Sequence, residues 1–454
     1  MVSERRDQSI SRIYAPYNGS SPFGSSPFTR TTPQKTKPVD RAQDKPGAAA
    51  PYPEKGRVMR QELFDIFMAG VRRADPERLV REAAAGITRP DQVVALGKAG
   101  LGMARAALTA FPGTPCLVVT NTENAAALHG ATVMAGGHPV PDEGSLRAGR
   151  ALVAAVSSVG AGGRILALIS GGGSALAVDP VPPVTLADKA ALSRLLLGAG
   201  FDIMEMNLVR QNLSRLKGGG LARAGAPAEV EALVLSDVVG DELAVIASGP
   251  TVPPMGTRAE ARVLLERRDL WERIPQTCRD VLCREETAPT PPCRNRIIGS
   301  NRLSAEAMLV AAPGATLDPI PLTGDVADAA ARIAAAARPG VMRLWGGETT
   351  VVLRGTGRGG RNQELALRVA LALRGMERPW AFLSGGTDGR DGPTDAAGAL
   401  VDQGTLARMT AAGLDPEGML ARNDSYPALA ASGDLLLTGG TGTNVADLQV
   451  LHVG

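Results

Sequence analysis

Apolar positions along this chain follow two rhythms. "RQELFDIFMAGVRRADPERLVREAA", from Arg60, repeats them three and four residues apart, the spacing of an amphipathic helix. Short uninterrupted apolar runs then appear in "QVVALGKAG", "TPCLVVTN", "RILALIS" and "EALVLSD". Runs without polar alternation predict strands buried on both faces. Helical stretches such as "SLRAGRALVAAVSSV" and "LADKAALSRLLLGAG" separate most of them. Strands alternating with helices predict an α/β fold, a parallel sheet with helices on both faces.

Two breaks interrupt the pattern. Residues 1–55 are rich in Ser, Pro, Arg and Lys with almost no aliphatic content, the composition of a disordered tail. Residues 252–293 read as helical and then Pro-rich ("TAPTPPCRNR"), which marks a domain boundary. After it "RIIGSN" opens a second strand-helix series, continued by "VMRLWGGETTVVLRG", "RNQELALRVALALR", "WAFLSGG", "GDLLLTGGTGTN" and "LQVLHVG". The division expected is a tail over 1–55, a larger domain over 56–290 and a smaller one over 291–454.

The length of 454 residues agrees with two domains. Aromatic residues make up only 3%, so the cores must be built from Ala, Leu and Val. A net charge of +3, with basic residues scattered, argues against nucleic acid as a partner. No uncharged apolar run long enough to span a bilayer escapes interruption by Gly or Pro, which argues against a membrane. Arg5 and Arg6 lack the apolar segment of a twin-arginine signal, so the cytoplasm is the expected compartment. Cys116, Cys278, Cys283 and Cys293 lack metal-knuckle spacing and read as free thiols.

Strand after strand ends in glycines beside a small hydroxyl or an acid: "ISGGGS", "LWGGET", "LSGGTDG", "LTGGTGT". Ligands of open parallel sheets bind outside the carboxyl ends of the strands. One such turn could serve only to pack a strand on a helix; the set predicts a large polar crevice. Within it, residues 170–174 (Ser170, Gly171, Gly172, Gly173, Ser174) close a strand and open a helix, an arrangement whose amides suit phosphate or carboxylate. Lys98, in the first turn of a helix, opposes the helix dipole unless an anion sits there. Asp237, at a strand's carboxyl end, is placed to hold Mg²⁺ or to act as a base. Thr387, Asp388, Asp391, Thr394 and Asp395 crowd one loop after Gly385 and Gly386, and crowded carboxylates invite a divalent cation. Asn301, Glu348, His138 and the pair Asn423 and Asp424 are single polar residues at turns or strand ends. Gly355, Gly357 and Gly360 match G-x-G-x-x-G, but the acid of a dinucleotide site is displaced to Asp388, and Arg358 and Arg361 suit a terminal phosphate or a carboxylate better.

Seven segments in order carry a resemblance: "ALGKAG", "GGHPVPDEGS", "LISGGGSAL", "LSDVVGDELAVIASGPT", "GGETTVVLRGTGRGGRNQELAL", "LSGGTDGRDGPTDAAGALVD" and "NDSY" with "GDLLLTGGTGTNVADL". Together they resemble the glycerate 2-kinases that carry a C-terminal MOFRL domain, over residues 58–454. The resemblance implies a Rossmann-like N-terminal α/β/α sandwich, a smaller C-terminal α/β domain and an active site in the cleft between them. It implies transfer of the γ-phosphoryl group of ATP to the 2-hydroxyl of D-glycerate with Mg²⁺, and leaves a homodimer open. The family's cleft lysine falls on Lys98 and its cleft arginine on Arg361. On this reading Lys98, Arg361 and Asp237 are catalytic. Residues 170–174, Asn301, Gly385, Gly386 and Thr387 hold phosphates. Lys98, Arg361 and Glu348 hold the substrate, and Asp237, Asp388 and Asp391 the metal. Some members have been labelled hydroxypyruvate reductases, which makes NAD(P)H-dependent reduction the alternative activity. A non-catalytic protein that binds a sugar acid or nucleotide is a third reading.

Overall fold

A computed structural model describes residues 54–285 and 288–454. The tail expected over 1–55 lies outside the described residues, except that Glu54 already opens a helix, Glu54–Arg73.

The first sheet has six parallel strands: β1 (Gln92–Leu96), β2 (Cys116–Asn121), β3 (Ala131–Gly136), β4 (Arg164–Ser170), β5 (Glu229–Leu235) and β6 (Arg294–Gly299). Their spatial order is β3-β2-β1-β4-β5-β6. The apolar runs become central strands because both faces are covered. Met103 and Ala107 of the helix Gly100–Ala110 cover Val93 and Ala95 from one side. Leu152 and Val156 of the helix Glu143–Ser157 cover Ile165 and Ala167 from the other. The connectivity reverses between β1 and β4. At such a switch point the two outgoing loops diverge to opposite faces and leave a crevice.

Helices Leu186–Gly198, Ile203–Asn212, Arg258–Arg267 and Gln276–Leu282 form a separate lobe around Leu196, Phe201, Val209 and Leu265. The second sheet comprises β7 (Thr316–Leu317), β8 (Leu322–Asp325), β9 (Val341–Thr350), β10 (Trp380–Gly386), β11 (Gly398–Asp402), β12 (Leu435–Leu436) and β13 (Asp447–Val453). It is mixed. β13 returns into its middle, antiparallel to both β9 and β10. Apolar runs report burial but not direction, so this could not be read from the pattern.

The expected domain limits differ from the strand pairing in two places. β6 lies beyond residue 290 yet completes the first sheet beside β5. The helix Glu54–Arg73 precedes that sheet but buries Leu63, Ile66 and Phe67 against Leu344, Leu383 and Val450 of the second. Its Arg60 pairs with Asp402 at 2.7 Å and Asp434 at 2.9 Å, which fastens it there. An apolar stripe specifies that a helix must be covered, not by which sheet.

Candidate active site

The turns that follow β1 and β4 flank the switch point and are stitched together. The Lys98 N–H donates to the Gly171 carbonyl (2.9 Å), and the Ala99 N–H to Ser170 Oγ (3.1 Å). Gly97 has φ 127°, and a Cβ there would lie 2.2 Å from Ser170 Oγ, so no other residue fits. Gly172 has φ 81°, and a Cβ on it would meet both Lys98 and His138 at 3.2 Å. A Cβ on Gly171 would lie 1.9 Å from Asp237 Oδ2. The bare backbone of residues 171 and 172 is therefore the floor over which Lys98, His138 and Asp237 meet.

Above it lies a cavity of about 240 Å³ whose walls come from both domains. Lys98, Asn121, Glu123 and His138 line it from the first; Asp388, Arg390, Gly440 and Thr443 line it from the second. Among the described residues none of Lys98, Asp237 and Asp388 forms an ion pair. Burial raises the Asp237 carboxyl and the Lys98 charge opposes it. Burial likewise raises Asp388, opposed by the Arg390 amide, which donates to Oδ1 at 3.0 Å, and by Lys98. Burial, and then the Lys98 charge, push the His138 imidazole down to about 4, so it is neutral at pH 7. One free ammonium thus faces Asp388 across an opening between domains, and its charge also reaches Asp237 beside Gly171.

Arg361 opens the helix Arg361–Ala372. Its Nε and one terminal nitrogen donate to the two oxygens of Asp447, at 2.6 and 2.9 Å, and the other terminal nitrogen pairs with Glu348 at 2.9 Å. Burial works against the guanidinium charge, but Asp447, fully buried, and Glu348, part-exposed, outweigh it and raise the pKa. Glu348 is raised by burial and lowered by Arg361; the charges of Asp237 and Lys98 also reach it. The structure therefore brings Lys98, Asp237, Glu348, Arg361 and Asp388 into one electrostatic group. It also adds Asp447, which the sequence reading missed. The available signal was an acid opening the apolar run "DLQVLHV", where the strand itself would bury it.

Other candidates are committed elsewhere. Ser170 is buried on the Ala99 amide, and the helix after the Gly-rich turn is only one turn long, Gly173–Leu176, so the expected helix-start cradle is short. Asn301 donates to the carbonyls of Val445 and Asp447, both at 2.8 Å. Thr387 Oγ1 donates to the Ala446 carbonyl and accepts from the Val445 amide. A Cβ on Gly385 would strike Leu436 and Phe67 in the core, and Gly386 sits against the Arg390 carbonyl. These four hold the loop that carries Asp447 rather than facing the cavity.

Asp391 departs furthest from its expected role as a metal ligand. It accepts from the Asn362 and Gln363 amides at 3.1 and 2.8 Å, capping the helix that Arg361 begins. Burial pushes its carboxyl up to about 7 against those donors. Among the described residues no three His, Cys, Asp or Glu side chains converge to hold an ion. Asp391→Ala is expected to cost about 1–2 kcal/mol of stability, as for a lost helix cap, seen as a lower melting temperature. Magnesium affinity should stay unchanged; a weakened affinity would restore Asp391 as a ligand.

The G-x-G-x-x-G loop is filled by the chain itself. The Gly357 amide donates to the Arg422 carbonyl (3.1 Å), and Asp424 accepts from the Arg358 amide (2.8 Å). Asn423 Oδ1 accepts from the amides of Arg354 and Gly355. Side chains on Gly355, Gly357 or Gly360 would strike Arg422 or Asp391. These glycines let the "NDSY" segment approach, and no room remains for a pyrophosphate. β9 and β10 run parallel, each antiparallel to β13, but β13 lies between them, so the loop belongs to a split β-α-β unit whose two strands are not neighbours.

A family model described as "Domain of unknown function (DUF4147)" matches residues 62–283, and one described as the MOFRL family matches 341–447. A putative hydroxypyruvate reductase of Agrobacterium vitis is 41% identical over 87% of this chain and 94% of its own length. A D-glycerate 2-kinase of Thermotoga maritima is 37% identical over 86% of this chain and 98% of its own. The crystal structure of glycerate kinase from Thermotoga maritima superposes with a TM-score of 0.82 at 35% identity, covering 88% of this chain and all of that one.

Proposed function

The chain belongs to the family that joins a DUF4147 domain to a MOFRL domain, and from its cleft we propose that it moves the γ-phosphoryl group of ATP to the 2-hydroxyl of D-glycerate. It phosphorylates glycerate and is a transferase; ATP, magnesium and the acceptor hydroxyl are the finer parts of the proposal. The observation that carries it is the unpaired Lys98 ammonium over the bare backbone of residues 171 and 172, opposite Asp237 and Asp388.

Phosphoryl transfer asks a protein chiefly for positioning and charge neutralisation. Lys98 supplies a compact cation to the oxygens of the moving group. The open backbone at Gly172 lets those oxygens come close. Asp237 and Asp388 are the residues that would hold Mg²⁺, which when bound neutralises charge on the donor phosphates. Whichever of the two stays free of metal is placed to accept the hydroxyl proton; burial raises both carboxyls toward that task. Arg361 is held by Asp447 and Glu348 and presents its remaining N–H bonds to the substrate carboxylate. With walls from two domains, closure of the cleft on substrate would exclude water, the competing acceptor. No described helix is long and apolar enough to cross a membrane.

The relatives named for hydroxypyruvate reduction suggest the second activity. The occupied glycine loop disfavours it, because a dinucleotide would have to displace residues 422–424. With ATP, Mg²⁺ and D-glycerate, phosphorus NMR is expected to show 2-phosphoglycerate. Consumption of NAD(P)H with hydroxypyruvate, and no phosphorylated product, would move the assignment to the reductase.

A further inference from the structure

Behind the Gly-rich turn lies a second set of cations that phosphoryl transfer leaves unused. Lys217 is 2% exposed, and its Nζ meets no hydrogen-bond partner. Lys189 and Arg210, both partly exposed, lie close enough for their charges to act on it. Among the described residues no carboxylate forms an ion pair with Lys217 or Lys189. Burial and these like charges hold Lys217 well below the usual lysine range, and burial with the Arg210 charge brings Lys189 to about 7.

The surrounding backbone is built with care. Ala247, Ser248 and Gly249 are three successive residues with positive φ, at 50°, 61° and 63°. Such a run persists only where neighbours over-determine it. Here Gly218 and Gly219 amides donate to the Ser248 and Gly249 carbonyls at 3.0 and 2.7 Å. Gln211 Nε2 donates to the Ser248 carbonyl, and Ser248 Oγ donates to Asn207. The same turn abuts Gly173 through Ala247. Lys217 is therefore fixed by the segment that backs the cleft floor.

We infer that Lys217, Lys189 and Arg210 form a second oxyanion site, for a ligand of the phosphate class, set behind the cleft. A buried ammonium beside two like charges is poorly satisfied by the protein alone. A tetrahedral anion offers acceptors to the two lysines, and the partly exposed Lys189 and Arg210 mark its route in. The inference stands whether or not the substrate is glycerate.

Calorimetric titration of the full chain with inorganic phosphate tests it, in a Lys98→Met background that silences the cleft lysine. Phosphate binding is expected to persist there. Adding Lys217→Met or Lys189→Met should weaken it roughly tenfold to a hundredfold, the worth of one charge-assisted hydrogen bond. Methionine suits a buried site, so Lys217→Met should melt no lower than its parent; should it misfold, the partly exposed Lys189 carries the test. Loss of all binding in Lys98→Met alone, or unchanged affinity in both added variants, would overturn the site and leave Lys217 a neutral buried amine. Displacement of bound phosphate by ADP would assign the site to nucleotide phosphates; its failure would assign it to free phosphate or a phosphorylated acid.

Discussion

Lys98→Ala is expected to lower kcat for glycerate phosphorylation roughly 10²–10⁴-fold, the range set by removing one oxyanion donor or one cation from a transferring phosphoryl group. The site explains so large an effect. Among the described residues Lys98 has no ion-pair partner, so its charge is available in full to the substrate. Its stem rests beside Gly172, where any side chain would intrude, and its own amide is tied to Gly171. The ammonium is thus held over the bare turn at little entropic cost. Because the substitution breaks no ion pair or hydrogen bond of the side chain, the melting temperature should move little. Its removal should also free the His138 imidazole, held down partly by the Lys98 charge, to titrate higher. Retained turnover, with the melt unchanged, would take Lys98 out of the mechanism. An activity loss matched by a collapse of the melt would make it structural.

Lys98 was legible in the sequence for a definite reason. It ends a continuous apolar run, and buried parallel strands end at the ligand side of their sheet. The same logic exposed residues 170–174, Asp237 and Asp388, each within a few residues of the end of such a run. What stayed hidden depends on pairing that no local pattern encodes. Asp391, Thr387 and Asn301 share the composition of a binding loop, yet each spends its polar atoms on backbone within the second domain. The glycines of "RGTGRGG" match a phosphate loop letter for letter, but their occupant is the chain at Arg422. A glycine declares that something comes close without saying what. β6 and the helix Glu54–Arg73 were assigned to the wrong side because chain order and spatial order part company at the domain crossing. Lys217 went unread because its burial follows from packing rather than from any local pattern.

Asp447→Ala is expected to lower kcat/KM by roughly a hundredfold and to destabilise the second domain by about 2–3 kcal/mol. Removing one partner of a buried pair costs about 3–5 kcal/mol, less here because the Arg361 side chain is 34% exposed and can reach water. The activity loss follows from geometry rather than contact with substrate. Asp447 is fully buried and grips two nitrogens of Arg361, which leaves the third on Glu348 and fixes the plane of the guanidinium at the cleft. Without that grip Arg361 retains its charge but has Glu348 as its remaining carboxylate partner, so the fork turns toward it and away from the acceptor. Asp447→Asn, which keeps one acceptor oxygen, should fall between alanine and the parent. The deciding measurement is a double-mutant cycle with Arg361→Ala. If Asp447 acts through Arg361, its loss should cost little further activity once the arginine is gone, and the two single effects should overlap almost entirely. Additive losses in kcat/KM would show that the carboxylate serves the reaction by a route of its own.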